Sequence, residues 1–168
     1  VLERCHAAAC GDIWQSNLYL DGTPNGYYVY TIHGATISNC YYKGANWDKN
    51  KQMSVFRADT DFNGESYAAD WNLGKGKGTI VANIFNADSK WKVYAVEGGV
   101  KTEMTRLQST PGQDAFAVGY HKKYAVANKY NFFSKNNGYL KMNHWYSYIP
   151  KDANAVITIE ATDPFGNT

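Results

Sequence analysis

The stretch Asp59-Thr60-Asp61-Phe62-Asn63-Gly64, running on through Glu65 to Asp70, sets oxygen-bearing groups at the first, third, fifth and twelfth places of a loop. A hard cation such as calcium takes six to eight oxygen ligands, and this spacing, with a sharp turn at Gly64 and the Glu65 carbonyl at the seventh place, supplies them. Asp59, Asp61, Asn63, Glu65 and Asp70 are therefore the candidate ligands of a structural Ca2+ whose role is to pin a loop. Asp70 is shorter than the bidentate Glu usual at the closing place, and no strong helical pattern flanks the loop. The competing reading is a turn in which the same Asp and Asn side chains bond neighbouring backbone N–H groups.

Other reactive residues lack the spacing that chemistry requires. His6, His33, His121 and His144 fall in no His-x-His or His-x3-His pattern, so they read as ordinary surface or core histidines. No Gly-x-Ser-x-Gly elbow is present, and Cys5 beside His6 makes no catalytic pair, because adjacent side chains diverge in extended backbone. Gly74-Lys75-Gly76-Lys77-Gly78 lacks the phosphate-loop spacing and runs into a strand rather than a helix, which makes it a hairpin turn. The carboxylate pairs Asp59 with Asp61 and Asp12 with Asp21 read as turn or surface groups before they read as acid and base. Cys5, Cys10 and Cys40 allow one bridge at most and read as idle or buried thiols.

Aromatic residues are the second candidate for function. The chain has 14 Tyr, 7 Phe and 5 Trp. Adjacent aromatics on a strand point to opposite faces, so one ring of Tyr27-Tyr28 or Tyr41-Tyr42 must be exposed or covered by a loop or partner. Trp14, Trp47 and Trp71 are candidate ligand-binding residues, suited to stacking on the apolar face of a sugar. The plainer account is that most of these rings fill the core.

The elements that position these groups are strands. Short Tyr-, Val-, Ile- and Thr-rich segments punctuated by Gly, Asn and Asp predict extended runs over 27–33, 35–43, 52–58, 78–85, 91–96, 100–107, 144–149 and 155–162. Met53, Val55 and Arg57 are expected on one face. The segments 78–85 and 91–96 are expected to pair as a hairpin through Asn86-Ala87-Asp88-Ser89. A helix is plausible only over 114–128. The fold class is all-β: an antiparallel two-sheet β-sandwich of about eight or nine strands with at most one short helix. Residues 1–17 read as a connecting segment and 18–168 as a single domain. A chain of 168 residues buries roughly 70% of its unfolded surface, enough for its own core. With 17 Lys and Arg against 15 Asp and Glu, the formal charge of +2 gives no basic field to hold a phosphate backbone, which disfavours nucleic acid. No apolar run is long enough for a transmembrane helix.

Asp21-Gly22-Thr23-Pro24-Asn25-Gly26-Tyr27, Cys10-Gly11 with Trp14, Gln52-Met53, Asn83 to Asn86 with Asp88-x-x-Trp91-Lys92-Val93, and the closing Ala161-Thr162-Asp163-Pro164-Phe165-Gly166-Asn167 together resemble the C-terminal domain of bacterial, Bacteroidetes-type calcineurin-like metallophosphoesterases. The resemblance covers almost the whole chain. It departs at Pro164, where such tails usually carry Arg, and in the longer excursion from Asp59 to Gly78. It implies a β-rich accessory domain beside an upstream phosphoesterase domain of the same polypeptide, in a secreted, periplasmic or cell-envelope protein. The hydrolase's dimetal centre is implied to lie in that upstream domain. Its signatures, Asp-x-His, Gly-Asn-His-Asp/Glu and Gly-His-x-His, are missing from this sequence. No catalytic residue and no required cofactor are therefore expected here. The alternative expectation is a carbohydrate- or glycolipid-binding module that uses exposed aromatics.

Overall fold

The computed structural model describes residues 9–10, 16–19, 21–57, 78–107, 110–112, 114, 116–117, 119–121, 140–142 and 144–168. Eleven strands run through them: β1 (Gly26–His33), β2 (Thr36–Gly44), β3 (Met53–Arg57), β4 (Ile80–Ile84), β5 (Lys92–Glu97), β6 (Val100–Glu103), β7 (Thr105–Arg106), β8 (Thr110–Gly112), β9 (Leu140–Met142), β10 (Trp145–Tyr148) and β11 (Ile157–Thr162). A helical turn occupies 116–117 and 119–121. The architecture is all-β and antiparallel, as the punctuation of the sequence predicts.

One sheet has the order β3-β4-β10-β7 and a second the order β11-β5-β6. Ala82, Ile84 and Tyr146 of the first sheet share a buried core with Val93, Ala95 and Ala161 of the second. A strand that switches sheets joins them. β6 pairs with β5, the Met104 N–H donates to the Val93 carbonyl at 2.9 Å, and one residue later β7 pairs with β10. Met104 is thus buried at the corner, where the chain leaves one layer for the other. Burial of each large apolar side chain in such a core stabilises by about 1.5–3 kcal/mol. At the rim, Glu97 on β5 accepts hydrogen bonds from the Tyr148 hydroxyl of β10 and from the Lys151 and Asp152 N–H groups, tying the two sheets together.

The predicted alternation is realised in β11, where Ile157, Ile159 and Ala161 face the core while Val156 is 88% exposed and Glu160 pairs with Lys101 at 2.6 Å. One expectation fails. β4 and β5 are not a hairpin, because β4 pairs with β3 and β10 while β5 pairs with β6 and β11. The turn between them, with Asn86 at φ 59°, carries the chain across the sandwich. Alternation reports which face a residue takes, not which strand it meets. On β3, Met53, Val55 and Arg57 share one face as expected, beside their register partners Ile84, Ala82 and Ile80, while Phe56 is buried on the other face and Val55, on this edge strand, is 44% exposed. The Arg57 side chain reaches beyond the strand to donate to the Ala155 carbonyl at 2.8 Å.

β1 and β2 form their own two-stranded sheet, turning at Gly34 with φ +60°. Tyr28 stacks on Tyr30 and meets Tyr42 edge-on, with ring centroids 5.8 and 5.3 Å apart. Cys40 and Tyr42 are buried on that face, while Tyr27 and Tyr41 point outward. β8 and β9 pair with each other and lie outside the predicted runs. The structure-sensitive part of the fold is the other face of the first sheet. Ile80, Val81, Ala82, Asn83 and Ile84 are all buried, so β4 is covered on both sides.

Candidate functional site

The covering layer over β4 is built on a polar cluster. Ser54 of β3 and Asn83 of β4 are register partners, so their side chains stand side by side on one face. Both reach Asp114: Ser54 Oγ donates to Oδ2 at 3.1 Å and Asn83 Nδ2 to the same oxygen at 2.9 Å. The other oxygen of Asp114 accepts the Ala117 N–H at 2.9 Å, which caps the helical turn three residues on. Asp114 is fully buried, and burial pushes its carboxyl above the usual range even though these three donors pull the other way.

Asn83 also donates to the Asp21 carbonyl at 2.7 Å. With its amide nitrogen shared between two acceptors, its Oδ1 must accept, so the His144 Nδ1 at 2.9 Å carries the proton. The other ring nitrogen, Nε2, stands 3.5 Å from Asp21 Oδ2. Burial raises the Asp21 carboxyl, but the His144 contact and the Thr23 N–H outweigh it and hold the group below its ordinary value. A raised and a lowered carboxyl are thus joined through one amide. The inner member, Asp114, has no exposed surface for a substrate. The cluster holds elements together.

The same logic accounts for the turn Asp21 to Gly26. Asp21 Oδ1 accepts the Thr23 N–H at 2.8 Å, the Tyr42 hydroxyl donates to the Pro24 carbonyl, and the Asn25 N–H donates to the Asn17 carbonyl at 3.0 Å. Gly22, at φ +82°, lies so close to the cluster that a Cβ there would sit 2.3 Å from the Asp114 carboxyl carbon. At the far end of the chain, Asp163 Oδ1 accepts the Phe165 and Asn167 N–H groups at 2.8 and 2.9 Å, and Asn167 Nδ2 reaches Asn39 of β2 at 2.7 Å. Ser16 Oγ lies 2.7 Å from His121 Nε2, but both are buried and the hydroxyl accepts the Leu18 N–H. That pair anchors residues 16–18 to the helical turn.

Beside the cluster opens a cleft of about 130 Å³, with Ser54 and Gly22 in its lining. Trp47 and Phe116 form two of its walls, with ring centroids 6.2 Å apart and planes at 79°. The Lys51 ammonium stands 5.9 Å from the centre of the Trp47 ring. Lys43 Nζ donates to the Gly44 and Trp47 carbonyls and fixes the loop that carries the tryptophan. Of the residues predicted to bind ligand, Trp47 lies in this cleft; Trp14, Trp71 and the entire calcium-type loop of Asp59, Asp61, Asn63, Glu65 and Asp70 lie outside the described residues. Among the described residues no group of three or more His, Cys, Asp or Glu is placed to hold a metal. The residues that sequence reading missed are Asn83, Asp114 and His144. Asn83 had a signal, as a lone amide inside the apolar run Ile80 to Phe85. Asp114 had a weaker one, as a capping residue before the single helical segment.

No curated protein and no solved structure matches the chain. A family model does, over residues 3–168, and the two segments most distinctive of the resemblance, Asp21 to Tyr27 and Asp163 to Asn167, contain the turns described above. With nearly its whole length matched, the chain belongs to the family described as the C terminal of calcineurin-like phosphoesterase.

Proposed function

We propose that this chain is a non-catalytic accessory domain that shapes or positions an upstream calcineurin-like phosphoesterase domain of the same polypeptide. The observation that carries the reading is the family match over residues 3–168. The use of the acid, base and amide groups supports it: the buried Asp114 and Asn83 and the partly buried Asp21 and His144 bond one another and the backbone of the covering layer. A hydrolase of this class needs two metals held by carboxylates and imidazoles to activate water, and that centre belongs to the upstream domain in this reading. A secreted or periplasmic location goes with it. A structural calcium ion at Asp59 to Asp70 is compatible with the same role.

The test compares this 168-residue chain with a polypeptide that includes the upstream domain. Manganese-dependent hydrolysis of bis(p-nitrophenyl) phosphate is expected from the longer polypeptide and not from the chain. Amide exchange on the outer face of the domain is expected to slow when the upstream domain is present. Turnover by the 168-residue chain that persists through repurification overturns the reading. Carbohydrate binding at Trp47 is a second reading, favoured by a half-buried indole facing an open cleft. Few hydrogen-bonding groups line that cleft, and each sugar hydroxyl left unpaired on burial costs about 1–3 kcal/mol.

A further inference from the structure

The cleft at Trp47 has a composition that selects a ligand. Trp47, Phe116, Phe56 and Phe85 line it together with the aliphatic Leu18, Pro24 and Val55, and its charged or hydroxyl side chains are Lys51 and Ser54. Ser54 already donates its proton to Asp114, which leaves the Lys51 ammonium as the main group free to recognise a polar substituent. Among the described residues Lys51 has no carboxylate partner; the nearby Asp48 uses Oδ1 to accept the Asn50 N–H. Among the described residues, positive charge is thus held at an aromatic cleft with no carboxylate paired to it.

We propose that this cleft binds a single-ring aromatic carboxylate, its ring packed in the corner that Trp47 and Phe116 form and its acid group on the Lys51 ammonium. Size, wall chemistry and charge agree on that class. A space of about 130 Å³ is close to that of the apolar cavities of about 150 Å³ that take up benzene. Aromatic rings prefer edge-to-face or offset neighbours, and Trp47 and Phe116, in edge-to-face contact at 79°, form a corner in which a further ring meets one of them by its face and the other by its edge. A carboxylate complements the unmatched ammonium, whereas a sugar of similar size would bring several hydroxyls to a wall with almost nothing to receive them. The inference concerns a ligand site of this domain and stands apart from any upstream catalytic domain.

The probe is phenylacetate, titrated into the 168-residue chain while the indole N–H signals are followed by NMR, with phenylacetamide and glucose as controls. Saturable binding with a dissociation constant of roughly 1 mM is expected for ten non-hydrogen atoms at ordinary ligand efficiency. The neutral amide is expected to bind about two- to fivefold more weakly, the range of one exposed ion pair. Lys51→Met keeps most of the stem and removes the charge, and it should erase the difference between acid and amide. Trp47→Phe should weaken both ligands while the variant still unfolds in one cooperative transition. No saturation up to tens of millimolar, equal affinity for acid and amide in the parent chain, or glucose shifting the Trp47 signal as strongly as phenylacetate overturns the proposal.

Discussion

Asn83 Nδ2 stands 2.9 Å from Asp114 Oδ2, a hydrogen bond across 31 positions of sequence that joins the middle of β4 to the cap of the helical turn. Around it, one amide serves the Asp21 carbonyl and His144 as well, so four segments of the chain meet at one side chain. Its removal leaves a buried carboxylate and a buried carbonyl short of donors and a histidine short of an acceptor.

Asn83→Ala is expected to destabilise the domain by about 3–4 kcal/mol, because unsatisfied buried groups cost more than a typical hydrogen bond contributes. Ser54→Ala, which removes a single donor from the same carboxylate, should cost about 1 kcal/mol. Urea denaturation of the two variants measures the contrast, and equal losses would remove Asn83 from its central role.

Gly22→Ala should be worse than Gly34→Ala. Both glycines have positive φ, +82° and +60°, and share the backbone penalty of about 1 kcal/mol. At Gly22 the new methyl also meets the Asp114 carboxyl at 2.3 Å and the Asn83 amide at 2.7 Å, whereas at Gly34 nothing lies within 4 Å. The difference is expected to reach about 2 kcal/mol or more, read as a gap in denaturation midpoints.

Asp21 and Asp114 predict opposite slopes of stability with pH. Asp21 titrates below its ordinary 3.8 in the folded protein, so its contribution is present above that value and lost as pH falls through the folded one. Asp114 titrates above 3.8, so its contribution is full below that value and lost as pH rises through the raised one. Denaturation midpoints from about pH 7 to about pH 2.5 should therefore fall less steeply toward acid in Asp21→Asn than in the parent chain. Asp114→Asn should remove the loss that accompanies rising pH. Unchanged slopes in both variants would contradict the assignment.

Asp163→Ala is expected to loosen the C-terminal loop without unfolding the sandwich. The carboxylate accepts two backbone N–H groups and the Asn167 side chain, which in turn reaches Asn39 of β2. Loss of these bonds should cost about 1–2 kcal/mol and speed amide exchange at Phe165 and Asn167, with β5 and β11 unaffected.

Much of this molecule can be read locally. Turn formers mark the ends of nearly every strand, and period-2 alternation assigns the faces of β11 because one side meets the core and the other meets water. The same rule sets Met53, Val55 and Arg57 on one face of β3 and Phe56 on the other. It was silent on β8 and β9, each three residues long. The place of the helical turn was legible, but the cleft that Trp47 lines was not.

What the sequence determined by itself is the all-β class, the positions of most strands and the family, since these follow from local preference and from residues adjacent in the chain. Only the tertiary structure decided which strands pair, that the chain crosses between sheets after β4 and again at Met104, and that Asn83, Asp114, Asp21 and His144 share one cluster. The reason is physical. A side chain's facing is fixed by its own backbone, whereas the partner of a buried polar group is whichever distant segment closes the core without leaving a donor or acceptor unpaired.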